Sequence, residues 1–144
     1  MSSAPRIEFV EAPAPEEIGA VAGILGEAAE SQHPGGDYRE YGFVLKDDAG
    51  AIVGGLTGYV LYGWMFVQFL SVAEELRGRG LGQALMADAE AWARQHGLTG
   101  MWLDTFAFQR PEFYRKLGFV EFGTIEDHPK GSRRIFFQKR FDDQ

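Results

Sequence analysis

Leu76-Arg77-Gly78-Arg79-Gly80-Leu81-Gly82 is the stretch on which the reading of this chain turns. Before it runs an apolar, strand-forming segment, Trp64 to Val72. After it Leu81, Ala84, Leu85, Ala89, Trp92 and Ala93 fall on one stripe of a helix. Glycines at 78, 80 and 82 permit a tight turn and let a bulky group come close to the amide nitrogens. The helix that follows aims its unpaired N–H groups and positive dipole end at that group. Arg77 and Arg79 add cationic donors, and no acid recurs until Asp88. The local physics is that of an anion site, although the same glycines also suit a plain strand-to-helix turn with two solvated arginines.

Upstream, Arg6 to Val10 alternates and reads as a strand. Pro15, Glu16 and Glu17 open a helix that carries Ile18, Val21, Ala22, Leu25 and Ala29 at helical spacing and should end near Glu30. Ser31 to Arg39 holds His33, Pro34, Gly35 and Gly36 and reads as a loop or a broken second helix. Tyr41 to Lys46, Ala51 to Leu61 and Trp64 to Val72 then form an antiparallel meander. Downstream, Gly97 closes the long helix, Met101 to Phe108 is a strand, and Pro111 opens a short helix with Phe113 and Leu117 on one face, ended by Gly118. Phe119 to Ile125 and Arg133 to Phe141 are the last strands, joined by a loop from Asp127 to Gly131. The expected class is α/β (α+β): helices against a mixed sheet of six to seven strands.

Composition narrows the function. With 144 residues and 45% hydrophobic content the chain suits a single domain over 1–144, with a real core. A net charge of −7 disfavours nucleic acid and favours cationic partners. The absence of cysteine excludes disulfides, thiolate metal sites and a cysteine nucleophile. His33 and His128 stand apart, so no metal is expected. The N-terminal residues lack a secretory pattern, and glycines interrupt the apolar run from Ala51 to Val72, so the expectation is a cytoplasmic protein with no membrane span. A Walker loop is excluded because Gln83 and Ala84 follow Gly82. A dinucleotide fingerprint fails at Gln83, although Asp104 lies at a suitable distance downstream.

The pattern Arg77-x-x-Gly80-x-Gly82 after a strand, then a long amphipathic helix, a strand, and Phe113-Tyr114-Arg115-Lys116-Leu117-Gly118-Phe119 resembles the Gcn5-related N-acetyltransferase (GNAT) superfamily. The resemblance implies that Arg77, Gly78, Arg79, Gly80, Leu81 and Gly82 cradle the pyrophosphate of acetyl-coenzyme A. It implies about four helices, and a strand ending in Leu70-Ser71-Val72 that splays from Met101 to Thr105. Backbone groups at Leu70 and Val72 would then pair with the pantetheine arm and polarise the acetyl carbonyl. Tyr114 would protonate the departing thiolate, and Gln109 stands where the family often has asparagine on the pantetheine.

An amine must lose a proton before it attacks a thioester, so a carboxylate is expected near the acyl group. The strand from Trp64 to Gln68, where some relatives carry a glutamate base, holds no acid, which moves the expectation to Asp104, acting through water or as a substrate-binding residue. Glu74 and Glu75 read as a solvated turn partnered with Arg77 or Arg79, and Arg133, Arg134, Lys139 and Arg140 as the exposed face of a strand. The resemblance places the acceptor side on Glu30 to Tyr41 and Glu126 to Ser132, where His33 and Tyr38, with Asp104 from the strand, suit a cationic amine. The family allows a homodimer, for which the sequence offers no interface stripe. Two alternatives to an amine N-acetyltransferase are a non-catalytic sensor of acyl-coenzyme A and a nucleotide-binding protein.

Overall fold

The computed structural model describes residues 4–142. By contacts the chain divides into two compact units, residues 1–36 and 37–144. The first is built on α1 (Pro15–Gln32), whose opening turn is braced by the Glu17 carboxylate accepting the Ala14 N–H at 2.8 Å. Residues 6–10 are not a strand: they have no ladder partner, and Ile7 and Phe9 are fully or almost fully exposed. Alternation alone gives a segment no hydrogen-bonding neighbour, and without one the extended form is not held. The broken second helix is likewise absent; α1 extends to Gln32 and a loop follows.

The second unit is a six-stranded sheet in the order β1-β2-β3-β4-β6-β5. Its strands are β1 (Arg39–Lys46), β2 (Ile52–Leu61), β3 (Trp64–Val72), β4 (Gly100–Phe106), β5 (Val120–Glu126) and β6 (Arg133–Arg140). Two α-helices belong to this unit, α2 (Leu81–Gln95) and α3 (Pro111–Lys116), so the described chain has three α-helices rather than about four. Every strand pair is antiparallel except β3 with β4.

One face of the sheet carries the core. Leu56, Val60, Met65, Val67, Met101, Leu103, Ile135 and Phe137 are buried there, against Leu85, Met86, Ala89 and Ala93 of α2. Alanines at 89 and 93, with no measurable exposure, let the helix lie close to the strands. The buried stripe includes Met86, while Ala84 faces solvent, a small rotation from the sequence expectation. The other face carries an aromatic row: Tyr59 against Phe66 (centroids 5.0 Å apart) and Phe66 against Trp102 (4.2 Å).

β4 stops at Phe106, two residues short of the expected end. Gln109 captures the next donors with its side-chain carbonyl, accepting from the Phe106 N–H at 3.0 Å and from the Thr105 hydroxyl at 2.9 Å. The ladder is replaced by a side-chain-closed turn.

Candidate active site

The site starts at the one parallel junction. β3 and β4 pair only through Trp64–Gly100, Met65–Met101 and Phe66–Trp102, and beyond Phe66 and Trp102 the strands have no ladder between them among the described residues. The expected splay of the end of β3 from β4 therefore begins after Phe66 and Trp102. It coincides with a bulge: Val67 faces Gly58 and Phe69 faces Thr57, leaving Gln68 as the extra residue of β3. The Tyr41 hydroxyl donates to the Phe66 carbonyl at 2.8 Å beside this bulge, and burial pushes the Tyr41 phenol far above its ordinary range. Gly58 is required there, since a Cβ would lie 1.9 Å from the Phe66 carbonyl oxygen.

Past the bulge, the Ala73 N–H donates to the Val53 carbonyl at 2.8 Å. Antiparallel pairing alternates, so Leu70 and Val72 turn their backbone groups away from β2, toward the open side. There the Val72 carbonyl accepts from Arg77 Nε at 3.0 Å. Arg77 is thus a staple between the glycine turn and the end of β3, and it is not paired with Glu74 or Glu75, whose carboxylates form no ion pair among the described residues.

The turn itself has the conformation its glycines allow. Gly78 and Gly80 sit at φ +79° and +77°, with open space where a Cβ would be. The first main-chain bond into α2 is from the Ala84 N–H to the Gly80 carbonyl, and the amides from Gly78 to Gln83 have no carbonyl partner among the described residues. A row of unpaired donors at the positive end of a fifteen-residue helix, with Arg79 exposed beside it, fits a diphosphate.

α3 brings the second motif to this turn. The Phe113 ring lies 3.5 Å from where a Gly82 Cβ would stand. Tyr114, next in sequence, is half-buried against Phe113, Phe119 and Phe137, with ring centroids 5.1, 6.2 and 6.1 Å away. Burial raises the Tyr114 phenol above its ordinary value; Arg110 pulls it down and the Asp104 charge pushes it further up. Asp104 and Tyr114, each expected to act in catalysis, thus share one electrostatic environment. The Tyr114 hydroxyl has no hydrogen bond from the described residues, nor is it a sealed, unpartnered atom, so it is open to an incoming group.

Asp104 is more engaged than its sequence position suggests. Its Oδ1 accepts from Arg134 Nε at 2.8 Å and forms an ion pair with Nη2 at 2.7 Å, with only 15% of the Asp104 side chain exposed. Arg134 in turn lies over Phe106 and Phe136. Lys139 is also no surface residue: its ammonium donates to Glu90 of α2 at 2.7 Å and to the Leu117 carbonyl at 2.9 Å. Of the late basic cluster, Arg134 ties β6 to β4 on one face and Lys139 ties β6 to the helices on the other, and only Arg133 and Arg140 are exposed. The Lys139 tie runs from α2 through β6 to the end of α3 and fixes the helix that carries Tyr114. Sequence reasoning missed it, along with Tyr41 and Gly58; the one available signal was a glycine inside a strand.

Of the acceptor-side residues, His33 caps α1 in the first unit. Tyr38 belongs to the second, exposed and tilted against Tyr59 at 5.4 Å. The other acceptor segment forms the end of the β5–β6 hairpin, where a cavity of about 340 Å³ is lined by Ala107, Glu126, Asp127, Gly131, Ser132 and Arg133. Among the described residues no group of His, Asp and Glu is placed to hold a metal ion, and no helix is long and apolar enough to cross a membrane.

Comparison with known proteins accords with this geometry. Residues 12–119 match the Acetyltransferase (GNAT) family. The chain is 33% identical to Acetyltransferase Atu2258 of Agrobacterium fabrum over 105 residues, 73% of this chain and 77% of that one. It is 41% identical to the Blasticidin-S acetyltransferase of Streptomyces morookaense over 85 residues, 58% of this chain and 62% of that one. The crystal structure of an acetyltransferase from Bacillus cereus superposes with a TM-score of 0.79 at 34% identity, covering 93% of this chain and 98% of the other. The match over residues 12–119 and the 33% identity across most of an Agrobacterium acetyltransferase make the chain a member of the GNAT acetyltransferase family.

Proposed function

We propose that the protein moves the acetyl group of acetyl-coenzyme A to a primary amine of a small molecule or peptide by direct attack on the thioester. The observation that carries this reading is the meeting of the glycine turn and α3, with Phe113 against Gly82 and the open phenol of Tyr114 beside it. The amides from Gly78 to Gln83, with Arg79, take the diphosphate, and Arg77 holds the turn to Val72. Leu70 and Val72 offer backbone groups to the pantetheine and the thioester carbonyl. Gln109, its carbonyl spent on Thr105 and Phe106, retains its amide N–H groups for the same arm.

As the C–N bond forms and the C–S bond breaks, the thiolate takes the Tyr114 proton, which burial keeps on the oxygen at neutral pH. The acceptor ammonium first gives one proton through water to Asp104 and attacks as the free amine. The second proton, released as the nitrogen becomes an amide, restores the Tyr114 phenol. Arg134 fixes that carboxylate through Oδ1, leaving Oδ2 to face the acceptor. His33 and Tyr38 contribute to acceptor binding, a cationic amine suits the acidic chain, and the reading keeps a homodimer, a cytoplasmic location and no metal.

A differential thermal shift with acetyl-coenzyme A, coenzyme A and NAD, followed by a panel of amines read by free-thiol release, tests it. Stabilisation by both coenzyme A species but not NAD, with thiol released in proportion to some amine, is expected. Stabilisation without turnover on any amine marks a sensor instead, and stabilisation by NAD alone overturns the diphosphate assignment.

A further inference from the structure

Phe106-Ala107-Phe108 carries more aromatic surface than folding asks of it. The Phe106 and Phe108 rings lie within 10° of parallel at 5.4 Å, and Phe108 is 64% exposed. His128 meets Phe106 edge-on at 5.2 Å, from the loop that closes the β5–β6 hairpin. An exposed ring is usually mobile, yet this one sits on a braced turn. Gln109 donates its N–H to the Phe106 carbonyl at 2.9 Å, its side chain holds Thr105 and Phe106, and the Ala107 N–H is fixed to the Arg133 carbonyl at 2.9 Å. A solvent-facing aromatic held on a fixed backbone and stacked on a neighbouring ring loses less freedom when a second ring stacks on it, which favours affinity.

The surroundings say what would stack. Ala107 lines an open, mainly polar hollow of about 340 Å³ at the hairpin end. Its rim pairs acceptors, Glu126 and Asp127, with a donor, Arg133, so it matches a molecule bearing both donors and acceptors rather than charge alone. Arg134 links this surface to the reacting end, paired to Asp104 and lying over Phe106.

We propose that the acceptor amine is carried by a planar conjugated ring that stacks on the Phe106–Phe108 platform, so that ring planarity selects the substrate. The proposal rests on the amine-acetylation reading for the role of the site and on the platform alone for its preference.

Binding to the coenzyme A-loaded protein separates the two. The probes are naphthylmethylamine and its ring-saturated counterpart decalinylmethylamine, which share charge and approximate size, titrated by calorimetry into wild type, Phe108→Leu and Phe108→Trp. The expected result is about five- to tenfold tighter binding of the flat amine to wild type, a preference kept by Phe108→Trp and erased by Phe108→Leu, which retains apolar area without a ring. Equal affinities in wild type, no binding of either amine, or a preference that survives Phe108→Leu overturns the proposal. Free-thiol release with the same amines reports separately on catalysis. A flat-ring preference without turnover on any amine refutes the acetyl-transfer reading and leaves the platform, whereas turnover with no flat-ring preference does the reverse.

Discussion

Replacing Gly58 with alanine tests the architecture of the site from a buried position on β2. The added Cβ would stand 1.9 Å from the Phe66 carbonyl oxygen and 2.8 Å from the Tyr41 hydroxyl oxygen. The first is backbone, anchored by the Tyr41 hydroxyl at 2.8 Å and by the β2–β3 ladder, so β3 must shift by more than an ångström at its bulge. Overpacking of this kind costs about 1–3 kcal/mol, and the Tyr41–Phe66 hydrogen bond, lost with it, about 1 kcal/mol more. A total of about 3 kcal/mol corresponds to a fall in Tm of roughly 10 °C for a domain of this size. Differential scanning fluorimetry of wild type, Gly58→Ala, Tyr41→Phe and the double variant gives the numbers. Tyr41→Phe alone should cost only the hydrogen bond, and it should not rescue Gly58→Ala, because the worse clash is with main chain. A Tm loss below about 2 °C in Gly58→Ala, or restoration of stability in the double variant, refutes the reasoning.

Tyr114→Phe should lower kcat by about 10²–10⁴ with no change in Tm, since the hydroxyl has no hydrogen-bond partner among the described residues; a kcat within threefold of wild type removes it from proton transfer. Because its phenol is raised by burial, the pH profile of wild-type kcat should show no descending limb from this group at or below the ordinary tyrosine value of about 10. Arg77→Ala should raise the KM for acetyl-coenzyme A by about tenfold and leave the acceptor KM alone, a loss consistent with one hydrogen bond from a charged donor; an unchanged acetyl-coenzyme A KM refutes the staple.

Lys139→Met should cost about 2 kcal/mol in urea denaturation. Burial pushes the Glu90 carboxyl up, but its bonds to Lys139 and Arg94 outweigh this and hold it below 4.5. Its stabilisation is therefore complete above that value and is lost as pH falls through the lowered one. The variant should show a shallower acid-side loss; an identical pH slope speaks against the tie.

Where local chemistry decides the structure, the sequence was readable. β3 lies over Trp64–Val72 as its apolar run and flanking turns indicate, and α2 begins at Leu81, directly after the glycine turn. Gly97 and Gly118 take positive φ at the two helix ends where a C-terminal glycine is favoured. Reading failed where a distant partner decides. Arg134 finds Asp104 thirty positions away and Lys139 finds Glu90 forty-nine positions away, and a charge run in a strand gives no hint of which members turn inward. Arg6 to Val10 has the alternation of a strand without the neighbour one requires. Of the site, Arg77 to Gly82 and Tyr114 were legible because each motif is a local device, a dipole end or a short capped helix. The bulge at Gln68 arises between strands and has no signature in either one.

A sheet normally hides its unpaired amides at its outer rims, yet this one opens a seam in its middle, beyond Phe66 and Trp102. The backbone groups along such a seam can pair with an extended chain that carries amides at strand-like intervals. The halves on either side are joined there by three residue pairs, the β2–β3 hairpin and β4–β6 belonging to different halves. Filling the seam makes the cross-links continuous, so hydrogen exchange at Val67 to Val72 and Leu103 to Phe106 should slow together when the thioester donor binds. The donor would then serve as a temporary beam of the building in which it reacts.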